Sequence, residues 1–226
     1  IQEAGRIRCG IKSGKAMKSI DTWRFTSPHE DVIEQLAARY GGRVEPWQDA
    51  KANPPNQFQV ITDASTIDVV IPPSGIDTNY ELYSGRGLQR ICNGVTVNGW
   101  DWDGQDRIAK SAPCVCSAQS RLECKITTHV SVIFPWLPFR GMWRLDTKSW
   151  NAAHELPSMM AILEQMRSMS GLAEVELYIE KQTKMRNGQK AHYVVPRLRF
   201  KQSVLEMLEG KGVLGASIGS TMSTYE

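Results

Sequence analysis

Hydrophobic positions recur at helical spacing early in the chain: Val32, Ile33, Leu36, Ala37 and Tyr40 share one face of a helix. Ser27-Pro28 ahead of them, with Glu30 and Asp31 in the first turn, predicts the helix start. Proline at the first position gives up an N–H that has no partner there anyway, and the acidic side chains offset the helix dipole. Gly41-Gly42 predicts its end. Short runs of β-branched and aromatic residues then predict strands at Val44–Trp47, Phe58–Thr62 and Ile67–Ile71, divided by Asn, Pro and Asp turn signals. Tyr80, Leu82 and Tyr83 predict a further strand, and Gly85-Arg86-Gly87 turns the chain onward.

The second half continues in the same mixed idiom. His129–Phe134 predicts a strand, Pro135–Pro138 a turn, and Gly141–Leu145 another strand. A helical pattern begins at Ser149, but Pro157 lies inside it, which predicts a short helix followed by a longer one over Pro157–Met169, closed by Gly171. Val175–Lys184 and Lys190–Phe200 predict a hairpin about the turn dipeptide Asn187-Gly188, and Lys201–Glu209 a short last helix. The expected fold class is α+β, with a mixed, largely antiparallel sheet, a few helices and a small zinc-stabilised lobe held by four cysteines.

Length and charge refine this picture. The chain's 226 residues suffice for one domain, expected over 25–210. Its 27 basic and 24 acidic residues leave a net charge of +3, too small an excess to make DNA binding the default. The first 24 residues differ: Arg6, Arg8, Lys12, Lys15, Lys18 and Arg24 face only Glu3 and Asp21. That balance predicts a basic, solvated, partly mobile segment over 1–24. A Gly/Ser/Thr-rich flexible tail is expected over 211–226. No apolar run reaches membrane-spanning length, so no membrane partner is expected.

Candidate chemistry is concentrated in the cysteines. Cys92, Cys114, Cys116 and Cys124 follow the spacing C-x21-C-x-C-x7-C, which suits a structural Zn2+ lobe at about 88–126. Four thiolates fill the tetrahedral shell of zinc and leave no open position for a reaction. Packed free thiols and disulfides remain alternatives, although Cys114 and Cys116 are too close in sequence to bridge each other easily. His129, five residues after Cys124, is either a substitute ligand or a strand residue. Cys9 stands apart and reads as a half-buried thiol. His29, His129, His154 and His192 form no metal-binding pair at helical spacing, and there is no nucleophile elbow, phosphate loop or dinucleotide fingerprint. Asp101, Asp103 and Asp106 read as a solvated loop rather than a nuclease site. Trp100 and Trp102 either fold onto the sheet or anchor a partner. Met159, Met160, Met166 and Met169 either fill the core or line an adaptable partner groove, and Trp100, Trp102, Met159 and Met160 are the candidate partner-binding residues.

Dense local matches add a family. The run Asp21-Thr22-Trp23-Arg24-Phe25-Thr26-Ser27-Pro28, then Tyr40-Gly41-Gly42-Arg43-Val44 with Pro46-Trp47, carries part of the likeness. Phe58–Thr62, Thr66–Val70, Tyr80-Glu81-Leu82-Tyr83-Ser84-Gly85, Cys92-Asn93-Gly94, Cys114-Val115-Cys116, Thr127-Thr128, Trp143-Arg144-Leu145 and Glu155-Leu156-Pro157 carry the rest. Over about residues 6–170 the chain resembles phage recombination directionality factors of the phiC31 type, the partners of large serine integrases. The resemblance implies a non-catalytic regulator in the cytoplasm of a bacterial host. Such a protein binds its integrase, activates attL × attR excision and inhibits attP × attB integration, meeting the DNA attachment sites mainly through the integrase. It also implies zinc ligands at Cys92, Cys114, Cys116 and Cys124. Two other readings remain: a zinc-containing phage nucleic-acid-binding module, and a metal-dependent hydrolase, which needs the open metal position that four cysteines deny.

Overall fold

The computed structural model describes residues 2–13, 16–48, 54, 56–85, 87–102, 107–114, 116, 123–170, 172–186, 189–201 and 213–214. Two sheets form among these residues. The larger has ten strands in the order β3-β4-β2-β1-β11-β10-β6-β7-β8-β9. In chain order these are β1 (Glu3–Ser13), β2 (Ala16–Ser27), β3 (Val44–Gln48), β4 (Asn56–Ile61), β6 (Ile76–Ser84), β7 (Gly87–Cys92), β8 (Thr96–Trp102), β9 (Arg107–Pro113), β10 (Lys125–Val132) and β11 (Met142–Thr147). In the second sheet β12 (Leu172–Arg186) pairs with β13 (Gln189–Phe200) on one side. On its other side it pairs with β5 (Thr66–Val70) and β14 (Val213–Leu214). Two helices complete the set, α1 (Glu30–Tyr40) and α2 (Trp150–Ser170). All strand pairs are antiparallel except β1 with β11, so the α+β class and the largely antiparallel sheet are as the sequence predicts.

Two expectations are corrected. Residues 1–24 are not set apart as a loose basic segment: β1 and β2 lie in the middle of the large sheet. The cause is a period of two that the charge count hides. Ile7 and Trp23 are buried while Arg6, Lys12 and Lys18 point to the other side or the edge. The helical stretch from 150 to 170 is continuous, with Pro157 inside α2. Proline denies the Ala153 carbonyl its intrahelical donor. The helix persists because Ala152, Ala153, Leu156, Met160 and Leu163 are buried on one stripe against the sheets. The predicted turn at Asn187-Gly188 and residues 202–209 of the expected last helix lie outside the described residues, as does the expected tail over 211–226 apart from Val213–Leu214, which pairs with β12.

One core joins both sheets and both helices. Trp23 holds the corner where the chain leaves β4 for β5: its backbone carbonyl accepts from Thr62 N–H at 2.8 Å, and its indole N–H donates to the Ser65 carbonyl at 3.1 Å. Phe25 sits between the two aromatic sides of the core. Its ring lies 5.8 Å from Phe134 and 5.7 Å from Trp143, both edge-on, and 6.4 Å from Tyr40. Gly41 caps α1, donating its N–H to the Ala37 carbonyl, and Gly42 follows at φ 94° with β4 so close that a Cβ would stand 2.1 Å from the Ile61 carbonyl oxygen. Only glycine suits both the left-handed backbone and that approach. No helix among the described residues is long and apolar enough to cross a membrane.

Candidate functional site

The four cysteines meet at one end of the large sheet. Cys92 closes β7, Cys114 follows β9, and Cys124 precedes β10. With Cys116 they form one buried cluster, their exposures only 2, 8, 8 and 5% in the order Cys92, Cys114, Cys116, Cys124. Tyr80, Leu82 and Val97 pack around them. The stretch 88–126 thus continues the sheet through β7, β8 and β9. Among the described residues no three His, Cys, Asp or Glu side chains are placed to hold a metal ion.

The turn after Cys92 is built around its sulfur. Gly94 takes φ 96° and donates its N–H to Cys92 Sγ at 3.2 Å. Asn93 Oδ1 accepts from the N–H groups of Val95 and Thr96 at 2.9 and 2.8 Å. The Val95 carbonyl accepts from Cys114 N–H at 2.7 Å, which ties the second cysteine to the first turn. A backbone donor on sulfur favours a thiolate. Against it, burial pushes the Cys92 thiol up, as do Cys114 and Cys116 beside it. Burial and the neighbouring Cys116 likewise raise Cys124 to about 11. Both shifts favour neutral thiols in the absence of a cation, while four sulfur donors are by type the ligand set of structural zinc.

A second polar cluster lies on the same sheet. His129 of β10 stands between two carboxylates, with Nε2 2.7 Å from Glu81 Oε1 and Nδ1 2.6 Å from Asp146 Oδ1. Arg144 donates through Nε to Asp146 Oδ1 at 2.6 Å, and Arg6 through Nη1 to Asp146 Oδ2 at 3.2 Å. Arg144 Nη2 also lies 2.8 Å from His129 Nδ1. A guanidinium only donates, so the Arg144 contact needs Nδ1 unprotonated while the Asp146 contact needs it protonated, and the two exclude one another; carboxylates on both ring nitrogens favour the imidazolium. The hydrogen bond that His129 makes to Asp146, joined by the one it makes to Glu81, raises the His129 pKa against the opposing effect of burial. Burial alone would raise Asp146, but hydrogen bonds from His129 and Arg144 outweigh it and hold the carboxyl at about 2. His129 therefore serves this cluster as a strand residue, not the cysteines as a ligand.

The sign of the pH dependence follows. A raised imidazole pKa contributes stability that is complete below the unfolded value near ~6.5 and is lost as pH rises through the folded value. The depressed carboxyl contributes stability that is complete above its unfolded value and is lost as pH falls toward about 2. The urea midpoint should accordingly decline as the pH rises above the unfolded value of ~6.5, and His129→Gln should flatten that decline. Parallel pH profiles for the two proteins would contradict the assignment.

The remaining candidates divide. Met160 is buried in the core and Met159 packs half-buried against it, so this pair fills space beneath α2 instead of lining a groove. Trp100 and Trp102 belong to β8; their side chains, like Asp103 and Asp106, lie outside what is described. Cys9 is half-buried and burial raises its thiol pKa, which is opposite to what a reactive nucleophile needs. The Glu81–His129–Asp146 cluster escaped the sequence reading because its members are 48 and 17 residues apart.

No curated protein and no solved structure matches this chain. A family model described as Gp3-like, recombination directionality factor-like, matches residues 4–201. That span takes in both sheets' principal strands, both helices and all four clustered cysteines, and on it the chain belongs to the recombination directionality factor-like family.

Proposed function

We propose that this chain binds a phage large serine integrase and sets its direction, activating attL × attR excision and inhibiting attP × attB integration. The match to the directionality-factor family over residues 4–201 is the observation that carries this reading. The chain acts as a non-catalytic regulator in the bacterial host cytoplasm, and the integrase supplies the nucleophile. Its leverage is differential binding: a regulator moves the balance between two recombinase arrangements only as far as it binds one better than the other. Cys92, Cys114, Cys116 and Cys124 hold a structural Zn2+. Their burial in one cluster and the Gly94 N–H on Cys92 Sγ support that assignment. The metal supplies folding free energy to the β7–β9 end of the sheet.

An in vitro recombination assay tests the regulatory reading. Purified protein is added with the large serine integrase of the same phage to attL plus attR, and separately to attP plus attB. Excision product should appear and integration product fall. If neither reaction changes, the reading fails.

A further inference from the structure

The chain's slight positive excess is not spread evenly. Two adjoining clefts of about 370 and 550 Å³ run from the β1–β2 hairpin, past the end of β11, to β12. Cys9, Ser19 and Lys148 line both, so the two clefts adjoin and are treated together as one groove. Among the described residues its walls carry Arg6, Arg8, Lys18, Arg144, Lys148 and Lys184, and one carboxylate, Asp146. Asp146 is already held by Arg6, Arg144 and His129. The three lysines are exposed. Among the described residues none of them stands at ion-pair distance from a carboxylate, whereas their neighbour Lys181 pairs with Asp21 at 2.5 Å. Lys148 lies 5.8 Å above the ring of Tyr83, and Trp150 lines the far end of the groove, with 55% of its surface exposed.

We infer that this groove binds the sugar–phosphate backbone of duplex DNA. An open trough lined by lysines that have no carboxylate partner among the described residues suits a polymer that carries a negative charge every ~1.7 Å of its axis. It suits a small anion less well, since that would call for an enclosed pocket with convergent donors. Lysine heads on flexible stems are point charges without the planar fork that reads a single carboxylate, so they favour contact without sequence preference. An acidic protein surface is the competing occupant. Protein interfaces are typically depleted in lysine, and three of this groove's six cations are lysines. The site extends the regulator reading by giving it a direct hold on DNA, and it stands or falls without reference to which integrase the chain serves.

Fluorescence anisotropy with a short labelled duplex of arbitrary sequence tests it, using the full chain alone. Affinity should fall roughly 40-fold between about 50 and 200 mM salt if the three lysines each neutralise one phosphate. The triple variant Lys18→Ala, Lys148→Ala, Lys184→Ala should flatten the slope of log affinity on log salt by about 3, and the triple arginine variant should restore it. An unchanged thermal midpoint shows that the variants are folded. Three outcomes overturn the proposal: no duplex binding at low salt, an unchanged slope in the alanine variant, or loss of DNA-free capture by integrase while duplex binding persists. The last would assign the groove to an acidic protein surface. Loss of duplex binding with a normal recombination response would uphold the groove as a duplex site and separate it from the regulatory activity.

Discussion

Replacing Cys114 and Cys116 together by serine is expected to strip the protein of zinc and of most of its soluble yield. The expectation rests on position as much as on ligand chemistry. Cys114 is hydrogen-bonded through its N–H to the turn that follows Cys92, and all four sulfurs are buried. Without a cation that end of the sheet buries polarizable thiols around an Asn-Gly turn and little else; Tyr80, Leu82 and Val97 are its only further apolar cover among the described residues. Structural zinc contributes roughly 10 kcal/mol or more to small folded units, which exceeds what such a patch can bury. Metal analysis of the wild-type protein should therefore find about one zinc per chain. Because the double variant is expected to be insoluble, the sharper measurement is on the wild type. Chelation should expose four reactive thiols and lower the thermal midpoint, and added Zn2+ should reverse both. A soluble, fully folded double variant, or a wild type that carries no zinc, would sink the assignment.

Phe25→Ala should cost about 3–5 kcal/mol of unfolding free energy, the range for emptying an aromatic site in a packed core. The ring is buried and touches Phe134 and Trp143 edge-on, and Tyr40 beyond them. Its removal therefore leaves a cavity and breaks three aromatic contacts at once. Tyr40 and Phe134 both pack on Trp136, which in turn lies 4.7 Å beneath the Arg39 guanidinium, so little around the gap is free to collapse into it. A typical domain has only about 5–15 kcal/mol in hand, and the urea midpoint should drop accordingly. Phe25→Leu should recover much of the loss. A measured cost below about 1 kcal/mol would mean that the core relaxes around the gap far more readily than close packing allows.

The elements that the sequence announced were those with strong local grammar. The stripe Val32–Ile33–Leu36 and the stop at Gly41-Gly42 give α1 with its limits nearly as expected. The residues that carried the family likeness turn out to be structural: Trp23 and Phe25 at the core, Gly42 against β4, Trp143 packed on Phe25. They identify a fold, and for that reason say little about a docking surface. What escaped was non-local. Lys18, Lys148 and Lys184 converge because β2, the end of β11 and β12 converge, and no spacing along the chain encodes that. The arginines of β1 read as solvent-exposed charge because local composition does not show that alternate residues there are buried. Pro157 read as a helix break because the cost of one missing hydrogen bond is visible in sequence, whereas the apolar burial that outweighs it is not.

The one parallel pairing of the large sheet among the described residues joins β1 to β11, with Glu3 opposite Met142 and Ile7 opposite Leu145. On the ribosome, the β1–β2–β4–β3 half of the sheet therefore has an open inner edge until β11 has emerged. That edge belongs to a central strand, and β1 carries none of the prolines that help to protect natural sheet borders. Late closure of so distant a pair makes for slow folding and a long exposure of strand edges to other chains. Expression yield should thus respond to growth temperature and chaperone supply more steeply than the stability of the finished fold would suggest.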